Sequence, residues 1–289
     1  MDYFISAEQK AYCDWQLDLL LLSFKNNNLP NQPLVALAET NEPRYEKLHL
    51  LNKHDQVFSH QNLGQKRGFA GLNELYTLSW ALDNNKIKMP LCVLKPHFIL
   101  KYANFNPFRV EGSPSFVFAI DPFFTFDVVE KNVGDFAKDM TNSKAVYREK
   151  WLPLGDVFFI NNLPISLVRR TAQIAEFLIL NQILQKKTVW ENTIKLAWII
   201  NMIDVADQVH IHGNYDFTST MIDSQDTPFI DYTHGMPPVF NKNMFLYPPP
   251  SYMSFGDPIE TISNCYNTKN SHYMSELANE LLSKRESNI

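Results

Sequence analysis

The chain has 289 residues, 45% of them hydrophobic and 20% charged, with a net charge of -5. That length can bury a sizeable core in one large α/β domain or two small ones, and the acidic balance excludes a global attraction to nucleic acid or anionic membrane, though not a local basic groove. Three widely spaced cysteines, Cys13, Cys92 and Cys265, give neither a disulfide framework nor a C-x-x-C zinc site. A reducing compartment follows. No basic n-region follows Met1, and the run Leu19 to Leu22 is too short to span a bilayer. The expectation is a soluble cytoplasmic protein with no membrane association. The 21 Phe and 12 Tyr predict a thick aromatic core.

In chain order, Tyr3 to Ser6 reads as a first strand. Residues 8–25 read as a helix with Tyr12, Trp15, Leu19 and Leu22 on one face, ended by Asn26-Asn27-Asn28-Leu29-Pro30. Pro33 to Leu37 is a second strand, and strand-helix-strand order predicts a parallel sheet. Residues 40–67 read as a polar surface segment. Leu72, Leu75, Leu78 and Leu82 predict a helix leading into Leu91-Cys92-Val93-Leu94, a buried strand. That strand stops at Lys95-Pro96-His97, because proline has no N–H for the ladder, and resumes as Phe98-Ile99-Leu100. Polar groups at the carboxyl end of a buried strand sit where open α/β sheets bind ligands. A downstream stretch, Phe229 to Gly235, carries the matching polar groups Asp231 and His234.

Phe116 to Ile120 is a further buried strand, ending at Asp121-Pro122. Residues 123–150 are charged and irregular. Val157 to Ile160 is a strand, followed by a helix from about Leu163 to Lys186, with Pro164 in its first turn, and another from Trp190 to Ala206. Val209 to His212 alternates like a strand. Pro237-Pro238 and Pro248-Pro249-Pro250 mark an extended segment, and Tyr273 to Arg285 is an amphipathic helix.

The sequence contains no G-x-G-x-x-G after the first strand, no phosphate-binding G-x-x-x-x-G-K-S/T and no G-x-S-x-G elbow. His210 and His212 share one face of a strand, a weak metal pair. Asp121-Pro122-Phe123 lacks the second carboxylate of an acidic metal motif, so a structural Asp at a strand end is the expectation.

The order of motifs resembles that of the hydroxyproline O-arabinosyltransferases and their peptidyl-serine galactosyltransferase relatives, spread over about residues 3 to 282. The family's Y-x-x-W-Q is matched by Tyr12, Trp15 and Gln16. Its glycine-aromatic, asparagine and tryptophan series is matched by Gly68-Phe69, Asn73 and Trp80. Its E-P-D-H-I falls on Lys95-Pro96-His97-Phe98-Ile99, its G-x-P-x-F-x-F-x-I-D-P on Gly112 to Pro122, and its P-I-G-N on Pro153-Leu154-Gly155-Asp156. Its G-W-V-L-E-M resembles Ala197 to Met202, and its H-Y-T-Y-G resembles Asp231-Tyr232-Thr233-His234-Gly235, followed by Lys242.

The resemblance implies a single α/β domain of GT-A type, with a central, mostly parallel sheet flanked by helices. Residues 1–160 would be mainly the nucleotide-sugar half, and 161–289 mainly the acceptor half and a C-terminal extension. It implies sugar transfer from a nucleotide-diphosphate sugar, a UDP-sugar above all, to a hydroxyl acceptor; with no membrane anchor expected, an intracellular acceptor is more natural, the candidates being a hydroxymethylated DNA base, a protein or a glycan. Asn73, Lys95, His97, Asp231, His234 and Lys242 fall on the diphosphate side. Asp156, Asn201 and Asp204 fall on the acceptor or sugar side and are the catalytic candidates. Trp15 and Asn73 also suit structural roles.

The departures from the family leave three readings open. His97 and Asp231 hold a divalent cation, Mn²⁺ or Mg²⁺. Alternatively, Lys95 neutralises the diphosphate directly, with weak or no metal dependence; lysine beside a cation is repelled, which favours this version. In the third, the chain binds a sugar nucleotide or serves as a scaffold without catalysis.

Overall fold

The computed structural model describes residues 1–127, 148–180, 193–221, 223, 225–232 and 256–286. Strands β1 (Asp2–Glu8), β2 (Leu34–Ala38), β3 (Val57–His60), β4 (Leu91–Leu94), β6 (Phe116–Ile120), β7 (Leu154–Ile160) and β8 (Ile211–Asn214) form a seven-stranded sheet in the order β3-β2-β1-β4-β7-β6-β8. Strands β5 (Phe98–Leu100), β9 (Thr218–Thr220) and β10 (Phe229–Asp231) form a second sheet in the order β5-β10-β9. Pairing is parallel for β1 with β4, β2 with β3 and β6 with β8, whereas β7 runs antiparallel to β4 and β6. The chain is therefore of the α/β class, with a mostly parallel central sheet flanked by helices.

By its contacts the chain divides into two compact units. The first holds Met1–Ser6, Gln61–Leu94 and Asn106–Tyr215. Strand β4 forms because four consecutive apolar residues lie between Pro90 and Lys95, and all four are buried. Next to it β7 supplies Phe158 and Phe159, and β6 beyond supplies Phe116 and Phe118, so much of the expected aromatic core lies here. Helices α2 (Leu63–Lys66), α3 (Leu72–Asp83), α4 (Ile165–Leu180) and α5 (Thr193–Asp204) belong to this unit, α3 packing on α4 and α4 on α5. Helix α5 is apolar nearly all round, as a helix buried on most of its faces must be. Its Trp198 ring sits 5.3 Å from Phe116 and 5.2 Å from Phe158, which fastens it to β6 and β7.

The second unit holds Ala7–His60, Lys95–Phe105 and Asp216–Ile289. It includes α1 (Ala11–Asn26), α6 (Pro258–Ile262) and α7 (Lys269–Glu286). Its core joins Trp15, Leu19 and Leu22 of α1 to Ile230 of β10 and to Ile259, Met274 and Leu281. A one-faced amphipathic helix was the expectation for α1, but Cys13 through Phe24 are all buried. Residues 40–60 cover its polar side, and they are more ordered than a surface segment. Asp14 takes a bidentate contact from Arg44 at 2.6 and 2.8 Å. Asp18 accepts the backbone N–H groups of His49, Leu50 and Leu51 at 2.8 to 3.0 Å. Val57–His60 then forms β3 on β2, a strand too short and too polar to read from sequence.

Candidate functional site

Leu91 to Leu100 is not one interrupted strand. β4 and β5 lie in different sheets, and the chain passes from the first unit to the second between Leu94 and Lys95. The turn Lys95-Pro96-His97 is closed by the Phe98 N–H donating to the Lys95 carbonyl at 3.3 Å. Tyr232 holds it from the other side. Its N–H donates to the His97 carbonyl at 3.4 Å and its hydroxyl to the Pro96 carbonyl at 3.5 Å. Tyr232 is wholly buried, and burial pushes its hydroxyl well above the ordinary range. Its ring lies 5.9 Å from Trp15, so Trp15 serves the core behind the turn.

The antiparallel register of β5 and β10 sets Asp231 opposite Phe98. His97 Nε2 and Asp231 Oδ1 are consequently 3.9 Å apart, with the side chains 14% and 26% exposed. That distance is too long for a hydrogen bond but short enough for both groups to meet one ligand. Lys95, on the same turn, is half-buried. His234 and Lys242 lie outside the described residues.

Among the described residues no three His, Cys, Asp or Glu side chains come together. The polar turn offers one imidazole and one carboxylate beside a lysine. Of the other suggested pair, His212 lies in β8, which begins at Ile211, and His210 stands just before that strand. The His210 ring packs on Gly112, where a Cβ would meet it at 2.6 Å.

The acceptor-side candidates lie in the first unit, and the structure separates them. Asn201 is fully buried, and its Nδ2 donates to the Leu167 carbonyl and Thr171 Oγ1, both at 2.7 Å, which joins α5 to α4. Asp204 pairs with Arg170. Asn73, 3% exposed, accepts the Gly64 N–H at 2.9 Å and donates to Asn62 Oδ1 at 2.7 Å, which staples α2. The Asn73 amide and Asn201 Nδ2 are thus engaged in packing contacts, while Asn201 Oδ1 is buried with no hydrogen-bond partner among the described residues.

Asp156 has a different setting. Lys195 Nζ lies 3.1 Å from Asp156 Oδ2 and 3.1 Å from Asp121 Oδ2. The antiparallel pairing that sets Ile120 opposite Leu154 creates this triad. Gly155 is needed there, since a Cβ would fall 2.6 Å from the Ala119 carbonyl oxygen. Burial works against the charged lysine, but the two carboxylates outweigh it and hold its pKa above the usual value. Asp121 is therefore a partner in an ion triad as well as a strand-end residue. Lys195 was missed because one lysine on a predicted helix looks like a solvated position. The only available signal was two aspartates at the ends of two predicted strands.

The architecture matches the GT-A fold of solved glycosyltransferases. Solved structures that share it include an active-site mutant of LgtC, at a TM-score of 0.50 and 10% identity over 97% of this chain and 96% of that one. The galactosyltransferase LgtC in complex with donor and acceptor sugar analogs gives a TM-score of 0.49 at 10% identity, over 97% and 96% of the two chains. The apo WbbM bifunctional glycosyltransferase gives 0.48 at 11% identity, with 96% of this chain covering 51% of that one. At such identities the likeness is one of fold. No protein-family model matches the sequence, and no curated protein matches it. Among the described residues no helix is long and apolar enough to cross a membrane.

Proposed function

We propose that the chain is a glycosyltransferase that takes a pentose or hexose from a UDP-sugar and transfers it to a hydroxyl acceptor. The observation that carries this reading is the approach of His97 to Asp231 on the polar turn after β4, at 3.9 Å. Two residues far apart in sequence meet where open α/β sheets bind ligands. In the reaction the bond between the sugar's anomeric carbon and the diphosphate oxygen breaks, and the acceptor oxygen bonds to that carbon. The acceptor's proton passes to a base or to solvent, and UDP leaves. Lys95 acts on the leaving diphosphate as a point charge, with His97 as a hydrogen-bond donor. Asp156 serves the acceptor side. Catalysis comes from holding the two substrates and stabilising the departing charge.

A second reading, a sugar-nucleotide-binding protein without catalysis, draws on Asn73, whose side-chain amide is used in packing. One experiment separates the two. UDP at millimolar concentration is expected to raise the melting temperature, because a ligand of the native state stabilises it by mass action. Release of UDP from a panel of UDP-sugars then reports turnover. A melting shift without UDP release from any sugar supports the binding reading. No shift with UDP, GDP, CDP or ADP removes the donor site altogether.

A further inference from the structure

We propose that the first unit carries a binding pocket for a small organic anion, between the approach to β7 and the turn that joins α5 to β8. The proposal goes beyond the glycosyltransferase reading and does not rest on it. The pocket is open to solvent and has a volume of about 590 Å³. Small-molecule sites span about 300–1,000 Å³. Leu152, Val209 and Ile211, each half-buried, give its lining an apolar part, and Lys150, Gln208 and His210 give it a polar one. All six residues belong to the first unit, whereas Lys95, His97 and Asp231 belong to the second.

His210 is fixed in this pocket without any bond to its ring. The Gln208 and Val209 N–H groups donate to the Val205 carbonyl at 2.8 and 3.0 Å, which closes the turn after α5. The His210 carbonyl then accepts the Ser115 N–H at 2.8 Å and the Phe116 N–H at 3.3 Å, which ties it to the start of β6. Its ring lies on Gly112, whose φ of +83° and missing side chain leave the space that the imidazole fills. Among the described residues neither ring nitrogen has a hydrogen-bond partner. Lys150 is held loosely as well. Its Nζ lies 3.7 Å from Asp207 Oδ1, and the two side chains are 40% and 94% exposed, so solvent screens the pair.

An ammonium, an imidazole N–H and an amide NH₂ are all donors. Donors that include a positive charge make their strongest bonds to an oxyanion, and the apolar residues beside them receive the body of the molecule that carries it. A carboxylate and a phosphate ester share this chemistry. Asp207, which also lines the pocket, is then a competitor for Lys150. Removing its charge favours the ligand.

Binding is measured by calorimetric titration and ligand-observed NMR with benzoate, glucuronate and glucose 6-phosphate, against the neutral benzyl alcohol and glucose. At least one anion is expected to bind saturably in the millimolar range, and its neutral counterpart about tenfold more weakly or not at all. Binding by benzoate or glucuronate identifies a carboxylate ligand, and binding by glucose 6-phosphate alone identifies a phosphate ester. Lys150→Met should weaken the anion about tenfold, His210→Phe should weaken it severalfold, and Asp207→Asn should tighten it. All three positions are exposed, so the variants fold, and unchanged melting confirms this. The proposal is overturned if no anion binds, if the neutral compounds bind equally well, if Lys150→Met leaves binding within twofold, or if Asp207→Asn weakens it. The melting shift with UDP should be the same in the parent and in Lys150→Met. Its loss in that variant would make this pocket part of the donor site and overturn its assignment as a separate one. Absence of the shift in the parent would count against the glycosyltransferase reading and leave anion binding to its own result.

Discussion

Replacing Lys195 by methionine tests the ion triad that holds Asp121 and Asp156 in place. The substitution keeps most of the side-chain volume and removes the charge. Each Nζ–Oδ2 separation is 3.1 Å, which at an effective dielectric near 20 corresponds to about 5 kcal/mol of gross attraction per pair. Desolvation of the lysine offsets much of that. Removing one partner of a buried pair costs about 3–5 kcal/mol, because the remaining charge is left uncompensated. The carboxylates are 26% and 28% exposed and so partly screened, which places the expected loss near the lower end, at about 3 kcal/mol. In a chain of this size that lowers the melting temperature by roughly 6–12 °C. Urea titration at pH 7 measures it directly. The triple variant Lys195→Met, Asp121→Asn, Asp156→Asn should recover most of the loss, since replacing a whole ionic group is close to neutral. The pH dependence has a definite sign. The folded-state pKa of Lys195 is raised above its ordinary 10.5, so its contribution is complete below that value and is lost as pH rises through the folded one. Parent and Lys195→Met stabilities should converge only above about pH 10.5. A single variant within about 0.5 kcal/mol of the parent at pH 7, the range of ordinary surface substitutions, would show that the triad is a solvated surface contact.

Three further outcomes are expected. If Lys95 neutralises the diphosphate, turnover survives EDTA and Lys95→Ala lowers it roughly 10²–10³-fold; abolition by EDTA with restoration by Mn²⁺ would instead favour His97 and Asp231 as metal ligands. Asp257 is 5% exposed, and although burial opposes its ionisation, hydrogen bonds from Lys47, Tyr45 and the Ile259 N–H lower its pKa below the ordinary 3.8. Its contribution is therefore present above that value and lost as pH falls through the folded one. Urea midpoints for Asp257→Asn should accordingly vary less between pH 3 and 7 than those of the parent, with a loss of about 1–3 kcal/mol at pH 7; an equally steep acid limb would contradict the assignment. Gly155→Ala should cost about 1–3 kcal/mol by overpacking against the Ala119 carbonyl, and a melting temperature unchanged from the parent would count against that close approach.

What could be read from the amino acids alone was local. Leu91 to Leu94 had to be a buried strand, because four apolar residues stand between a proline and a lysine. The turn Lys95-Pro96-His97 was also legible, since proline cannot extend a ladder. Tertiary contacts decided the rest. Three residues such as Phe98-Ile99-Leu100 show too little periodicity to say which sheet they join, and only pairing with β10 sets β5 apart from β4. The polar residues of α1 look solvent-facing in sequence, and they are buried because residues 44–51 supply partners that no helical pattern encodes. Asn201 stood on the expected helix, but its bonds to Leu167 and Thr171 depend on how two helices meet. The same holds for Lys195. A lysine on a helix is ordinarily solvated, and it becomes the centre of a charged triad only because antiparallel pairing carries Asp121 and Asp156 to one end of the sheet. Local chemistry thus determines which segments become strands and helices, while the register between distant strands decides which of their polar residues meet.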